Sequence, residues 1–163
     1  MKRAQQANAM TNLILEIFRV NGQLLIEGDR LTKPLELTSA RWQVLGAVEL
    51  ANYPMSVAQI GRRMGLTRQA VQRVANDLER LNFIRFENNP DHVRAKLIVP
   101  TKKGLNALSE IAVIQAKWSN DLAKGIDEAR LIDAFEVLRE LQSRCEQTEL
   151  AAASKGTGYA GEK

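Results

Sequence analysis

Gln69, Gln72 and Asn76 follow one another at three- and four-residue steps, with Arg68 and Arg73 beside them. On a helix this spacing puts the three amides on one face and the two guanidinium groups at its flanks. Such groups do not form a nucleophile or a proton relay. They make paired hydrogen bonds to planar edges: an amide to N6 and N7 of adenine, a guanidinium to O6 and N7 of guanine. The residue types therefore predict base reading by Arg68, Gln69, Gln72, Arg73 and Asn76. Ser56 and Thr67, each at the start of a helix, suit phosphate oxygens, because free N–H groups and the helix dipole point outward there. Arg62 and Lys96 add sequence-independent attraction to phosphates.

The elements that must hold these side chains are legible around them. Ser56-Val57-Ala58-Gln59 fits a capping box and opens a helix over 57–64. Gly65 suits the left-handed backbone at its end, and Thr67 caps a second helix over 68–82. With Val74 at the centre of the buried face of that helix, Val71, Leu78 and Leu81 fall beside it. Gln69, Gln72 and Asn76 then lie opposite, and Glu79 points outward from the far end. Two helices joined by a short turn with glycine make a helix-turn-helix. Ile84–Glu87 and Ala95–Val99 are strand-like, and the polar run Asn88–Arg94 between them is rich in turn residues. The second helix thus runs into a β-hairpin, a wing.

The flanks read as helices. Leu13, Ile17, Val20, Leu24 and Leu31 recur at helical spacing over Asn8–Leu31, and Ile14, Phe18, Leu25 and Ile26 widen the stripe beyond the needs of a small core. Lys33-Pro34 ends it. Thr38 caps the next helix, which carries Trp42, Leu45 and Val48 and stops at Asn52-Tyr53-Pro54. Thr101 caps a helix to about Lys124, and Gly125 ends it. Asp127 caps a last helix over Glu128–Leu150, with Leu131, Phe135, Leu138 and Leu141 on one face. Residues 151–163 are poor in apolar side chains and read as a disordered tail. Cys145 shares the period of Leu138 and Leu141 and reads as a buried structural thiol.

Charge and composition narrow the function. The chain of 163 residues has a net charge of +4, but residues 56–103 alone carry +6 and the remainder −2. An excess confined to the helix-turn-helix and wing points to a polyanion there. The one Cys and one His exclude an internal disulfide, a zinc site within one chain and a His-dependent catalytic set. No phosphate-cradling glycine loop is present. No catalytic residue, metal ligand or cofactor is assigned. Without a signal-like N-terminus or a membrane-length apolar run, the expected location is the cytoplasm.

Several runs together carry a family likeness. Leu37–Leu45, Ile60-Gly61-Arg62-Arg63-Met64-Gly65-Leu66-Thr67-Arg68-Gln69-Ala70-Val71, Ala95-Lys96-Leu97 and Thr101-Lys102-Lys103-Gly104 resemble the MarR family of bacterial transcription regulators, over about residues 10–148. The resemblance implies a mainly α fold with a small β-wing: a winged helix-turn-helix at 35–100, flanked by dimerisation helices at 1–34 and within 101–150. It implies a homodimer on a pseudo-palindromic operator in double-stranded DNA, acting as a repressor. It also implies release by a small lipophilic or phenolic effector, for whose pocket Trp42 and Trp118 are candidates against a plain core role. Family wings carry Asp-x-Arg before the second strand, the Arg entering the minor groove. Here Arg94 is kept, His92 stands where the Asp belongs, and Asp91 sits one position early. A winged-helix module for protein contact, without a specific DNA site, is the alternative reading.

Overall fold

The computed structural model describes the backbone of residues 2–92 and 94–156 and the side chains of residues 4–92 and 94–148. The elements are α1 (Lys2–Thr32), a short 3-10 turn (Lys33–Leu35), α2 (Ser39–Ala51), β1 (Met55–Ser56), α3 (Val57–Met64), α4 (Arg68–Arg80), β2 (Ile84–Glu87), β3 (Leu97–Pro100), α5 (Lys102–Ala123) and α6 (Glu128–Gly156). The expected class, mainly helical with a small antiparallel wing, is the class observed. Two compact units divide between Lys117 and Trp118.

In the first unit the core joins Val44, Leu45 and Val48 of α2 to Ile60 of α3 and Val71, Ala75 and Leu78 of α4. Ile84 and Ile98 of the sheet, Phe83 just before β2, and Leu108 and Ile111 of α5 complete it. These residues bury the apolar stripe of each helix against one shared interior, the main favourable contribution to folding. On α1, Phe18 and Ile26 remain 67% and 61% exposed. The second unit holds the end of α5 and α6. None of its described side chains is buried, and Leu131, Ile132, Phe135, Val137 and Leu138 are exposed.

The caps explain most boundaries. Thr38 Oγ1 accepts from Arg41 N, and Asp127 Oδ1 accepts from Ala129 N at 2.8 Å. α4 stops at Arg80, short of the expected 82, because Asn82 takes a left-handed backbone (φ 62°) and Phe83 N donates back to Leu78 O at 2.8 Å. The second wing strand begins at Leu97 rather than Ala95, whose N donates to His92 O at 2.9 Å instead of joining the ladder. α6 runs to Gly156, so the start of the stretch expected to be disordered is helical. Residues 157–163, and Val93 in the wing, lie outside the described residues. Cys145 is exposed, not buried as its period suggested, because the apolar stripe it shares is itself uncovered.

One element has no counterpart in the sequence reading. Met55-Ser56 forms a third strand, pairing Met55 with Ile98 and Ser56 with Leu97 and giving the sheet order β1-β3-β2. Two residues carry no alternation, so the strand exists only because β3 offers it an edge.

Candidate nucleic-acid interface

The start of α3 is a complete capping box. Ser56 Oγ accepts from Gln59 N at 3.4 Å, and Ser56 N donates to Gln59 Oε1 at 2.8 Å. The turn that follows is built from two glycines. Gly65 takes φ 64°, and Gly61 lies so near the chain beyond the turn that a Cβ on it would come within 2.8 Å of Leu66 O. Leu66 N donates to Gly61 O at 2.9 Å, and Thr67 Oγ1 then caps α4 by accepting from Ala70 N at 3.2 Å.

α4 is rotated about its axis relative to the expectation centred on Val74. Val71, Ala75 and Leu78 are fully buried, while Val74 is half-buried. The shift is roughly 60° on a helical wheel. The Arg41–Asp77 ion pair, N to O 3.6 Å, joins α4 to α2, and full burial extends round the helix to Ala75. Gln69 and Arg73 therefore hold the outward face. Arg68 and Gln72 turn toward the wing, and Asn76 lies between the two directions.

Between α4 and the wing runs a cleft of about 450 Å³. Arg68, Gln72, Asn76 and Glu79 form its α4 wall, Phe86 and Arg94–Lys96 its wing wall, and Ser56–Ala58 line it from the start of α3. The structure thus brings together five of the expected site residues with Ser56 and adds Phe86, which β2 turns to the same side as buried Ile84. Gln69, Arg73, Thr67 and Arg62 are exposed but do not line the cleft. Ser56 is 7% exposed and its hydroxyl already donates to Gln59 Oε1 at 2.9 Å, so its hydrogen is committed to the cap rather than to a phosphate. Arg94 faces the cleft, and among the described residues no carboxylate pairs with it; Asp91 does not replace the missing wing acid. Trp42 is half-buried against the core beside Gly46, and Trp118 belongs to the other unit.

The charge excess resolves into two sets. Arg80 pairs with Asp77 at 3.0 Å, Arg85 with Glu87 at 2.6 Å, and Lys103 with Glu36 at 3.2 Å. Lys103 also donates to Leu81 O and lies 4.2 Å from the Phe83 ring centroid, closing the C-terminal end of α4. The Arg80 hydrogen bond, with Arg41 nearby, holds the Asp77 carboxyl below the usual carboxylate range. By contrast Arg62, Arg63, Arg68, Arg73, Arg94 and Lys96 have no carboxylate partner among the described residues. Lys102, at the start of α5, is the one other cation of residues 56–103 without such a partner among the described residues; the rest lie on α3, α4 and the wing, around and beside the cleft.

The model of the MarR family matches residues 35–95, which hold the whole helix-turn-helix and all of the cleft lining but Lys96. The chain belongs to the MarR family. An uncharacterized protein of Mycobacterium tuberculosis strain H37Rv is 35% identical over 135 residues, 83% of this chain and 93% of the relative. Two solved MarR-like folds are the M. tuberculosis transcriptional regulator MOSR in complex with DNA and CouR from Rhodococcus jostii RHA1 bound to p-coumaroyl-CoA. The first has a TM-score of 0.68 at 21% identity and covers 81% of this chain and 96% of its own. The second has a TM-score of 0.71 at 18% identity and covers 79% and 90%. At those identities the likeness is one of fold. MarR-family proteins are transcription regulators rather than enzymes, and this chain is a DNA-binding regulator of that family. Among its described residues no helix is long and apolar enough to cross a membrane.

Proposed function

We propose that the protein is a cytoplasmic homodimer that binds a pseudo-palindromic operator and represses transcription until a small lipophilic or phenolic effector releases it. The observation that carries the reading is the outward face of α4 beside a cleft whose cations lack acidic partners. In this reading Gln69, Gln72, Arg73, Asn76 and Arg68 meet base edges in the major groove. Thr67, Arg62, Lys96 and Arg94 meet the backbone or the minor groove, and Ser56 positions α3.

The flanking segments, residues 1–34 and 101–150, supply the dimer. Phe18 and Ile26 on α1 and Phe135 on α6 are exposed aromatic and aliphatic side chains of the kind a partner covers. Two copies would set half-sites one helical turn, ~34–36 Å, apart or a multiple of that. The effector acts by binding the DNA-incompetent spacing of the two reading heads more tightly than the competent one. Trp42 and Trp118 are each a candidate for contact with it.

Selection of bound duplexes from a random pool tests the core of the proposal. The expected result is one enriched inverted repeat, bound in a salt-sensitive way. Equal binding to all duplexes would leave the fold to a protein-contact role instead. Light scattering at micromolar concentration should give twice the 18.2 kDa of one chain. Repeating the selection with phenolic compounds tests release.

A further inference from the structure

The middle of α1 holds a glycine that its own chain does not account for. Gly28, later in the same helix, is set against α2: a Cβ there would come within 2.7 Å of Ser39 Oγ. Gly22 has no such neighbour. It lies in regular helix without a positive φ. Among the described residues nothing lies within 4 Å of the place its Cβ would take. Glycine inside a helix is less favourable than alanine, because it loses more backbone freedom on folding. Within this chain alone, alanine would fit and would serve the helix better.

The surroundings of Gly22 indicate what approaches it. On a helical wheel Leu15, Phe18, Leu25 and Ile26 fall within about 60° of it, and all four are exposed. Arg19, at the edge of this face, is paired with Glu16 at 3.1 Å. Between Leu15 and Ile26 the face is thus apolar and carries no unpaired charge, so a second copy can meet it without like-charge repulsion. The face also holds its own complement. Phe18 is a bump and Gly22 a notch, one turn apart. A two-fold axis across α1, midway between them, lays the bump of each copy on the notch of the other. A parallel pairing would set bump on bump.

We propose that α1 packs antiparallel against α1 of a second copy, with the Phe18 ring of each chain seated on the Gly22 backbone of the other. The proposal rests on the reading of the protein as a homodimer and names one contact within it. The missing Cβ lets the ring reach main-chain atoms. The contact occurs twice across the axis, so a small change at either residue is felt twice.

The test is the dimer dissociation constant of full-length chains, read by fluorescence-detected sedimentation over a dilution series. Gly22→Ala puts a methyl group where the ring sits. It should weaken the dimer on the order of tenfold or more, because overpacking outweighs the gain in helix propensity. Phe18→Leu removes contact area and should weaken the dimer in the parent. In the Gly22→Ala background it makes room for the methyl and should tighten the dimer instead, a reversal of sign that independent sites do not show. Far-UV circular dichroism should show parental helix content in every variant, since the Gly22 position is open within the chain and Phe18 is exposed.

Gly22→Ala dimerising as tightly as the parent, or more tightly, would overturn the contact while leaving the homodimer in place. A weakened Gly22→Ala that Phe18→Leu does not relieve would overturn it as well, by setting some other group of the second copy against Gly22. A parent that stays monomeric at micromolar concentration would overturn both the contact and the homodimer.

Discussion

Gly104 lies against the carbonyl of Phe83 with no room for a Cβ between them. The approach joins two elements with different tasks. Thr101 Oγ1 lies 2.6 Å from Asn82 O, to which it donates, and accepts from Gly104 N at 3.2 Å. The end of α4 and the start of α5 are thus one knot of backbone, closed by the Thr-x-x-Gly run. Gly104→Ala should cost about 1–3 kcal/mol or more, because the obstacle is main chain and cannot rotate away. Gly46→Ala is the control: its new Cβ would meet only the Trp42 ring at 3.9 Å, and alanine favours the helix by about 1 kcal/mol. Thermal unfolding checks both, and equal midpoints for the two variants would contradict the knot.

Arg73 and Lys96 should separate by the kind of binding they support. Arg73 projects from the outward face of α4, and Arg73→Ala should weaken the selected site by ~1–3 kcal/mol while sparing random DNA. Lys96 stands on the wing side of the cleft. Lys96→Ala should weaken both, and should reduce the salt slope by about one. Fluorescence anisotropy over a salt series reads both effects. Loss of random-sequence binding in Arg73→Ala would mean that its charge matters more than its edge contacts.

Glu79 is the only carboxylate lining the cleft among the described residues. Beside a phosphate chain it repels, and it limits how tightly the cationic walls hold DNA of any sequence. Glu79→Gln should raise affinity for random duplexes a few-fold at low salt, with the gain shrinking as salt rises. Unchanged affinity at low salt would place the DNA backbone away from this end of the cleft.

Asp77 ties α4 to α2 through Arg41 and to its own last turn through Arg80. Its carboxyl is held below the usual range, chiefly by the Arg80 hydrogen bond. A lowered folded-state pKa contributes stability above the unfolded value and loses it as pH falls through the folded one. Near neutrality the contribution is constant; the loss begins below about pH 4. Asp77→Asn should therefore flatten the acid limb of a stability–pH curve and leave its slope near pH 7 unchanged. Denaturant unfolding across pH 2–8 provides the check, and an altered slope near neutrality would assign the effect to another group.

Legibility followed the range of the interactions. Ser56, Thr67, Gly65 and Asp127 announce helix ends because caps act within three or four residues, and the structure has each where its type demands. The apolar periods of α2 and α4 were readable for the same reason. The rotation of α4 was not: Ala75 carries little hydrophobic weight, so the pattern of larger side chains does not mark it as part of the buried face. β1 was invisible because pairing with Ile98 and Leu97 is its entire cause. The uncovered stripe of α6 also misled, since the period that marks Cys145 as inward says nothing about what covers that face. The hydrogen bond from Gln72 Nε2 to Asn76 Oδ1, 2.8 Å long, could have been suspected from the one-turn spacing of two amides, but which amide donates is set by rotamers.

The pairing of Met55-Ser56 with β3 has a consequence for how such a regulator changes its target. Ser56 is both the last residue of a strand bonded to the wing and the cap of α3, so the wing and α3 share one frame, which the turn at Gly65 carries on to α4. Main-chain bonds are indifferent to most side-chain replacements. The exposed side chains of α4, the base readers in the proposed function, can therefore be replaced over evolutionary time, or by a designer grafting another set, without retuning the spacing between helix and wing.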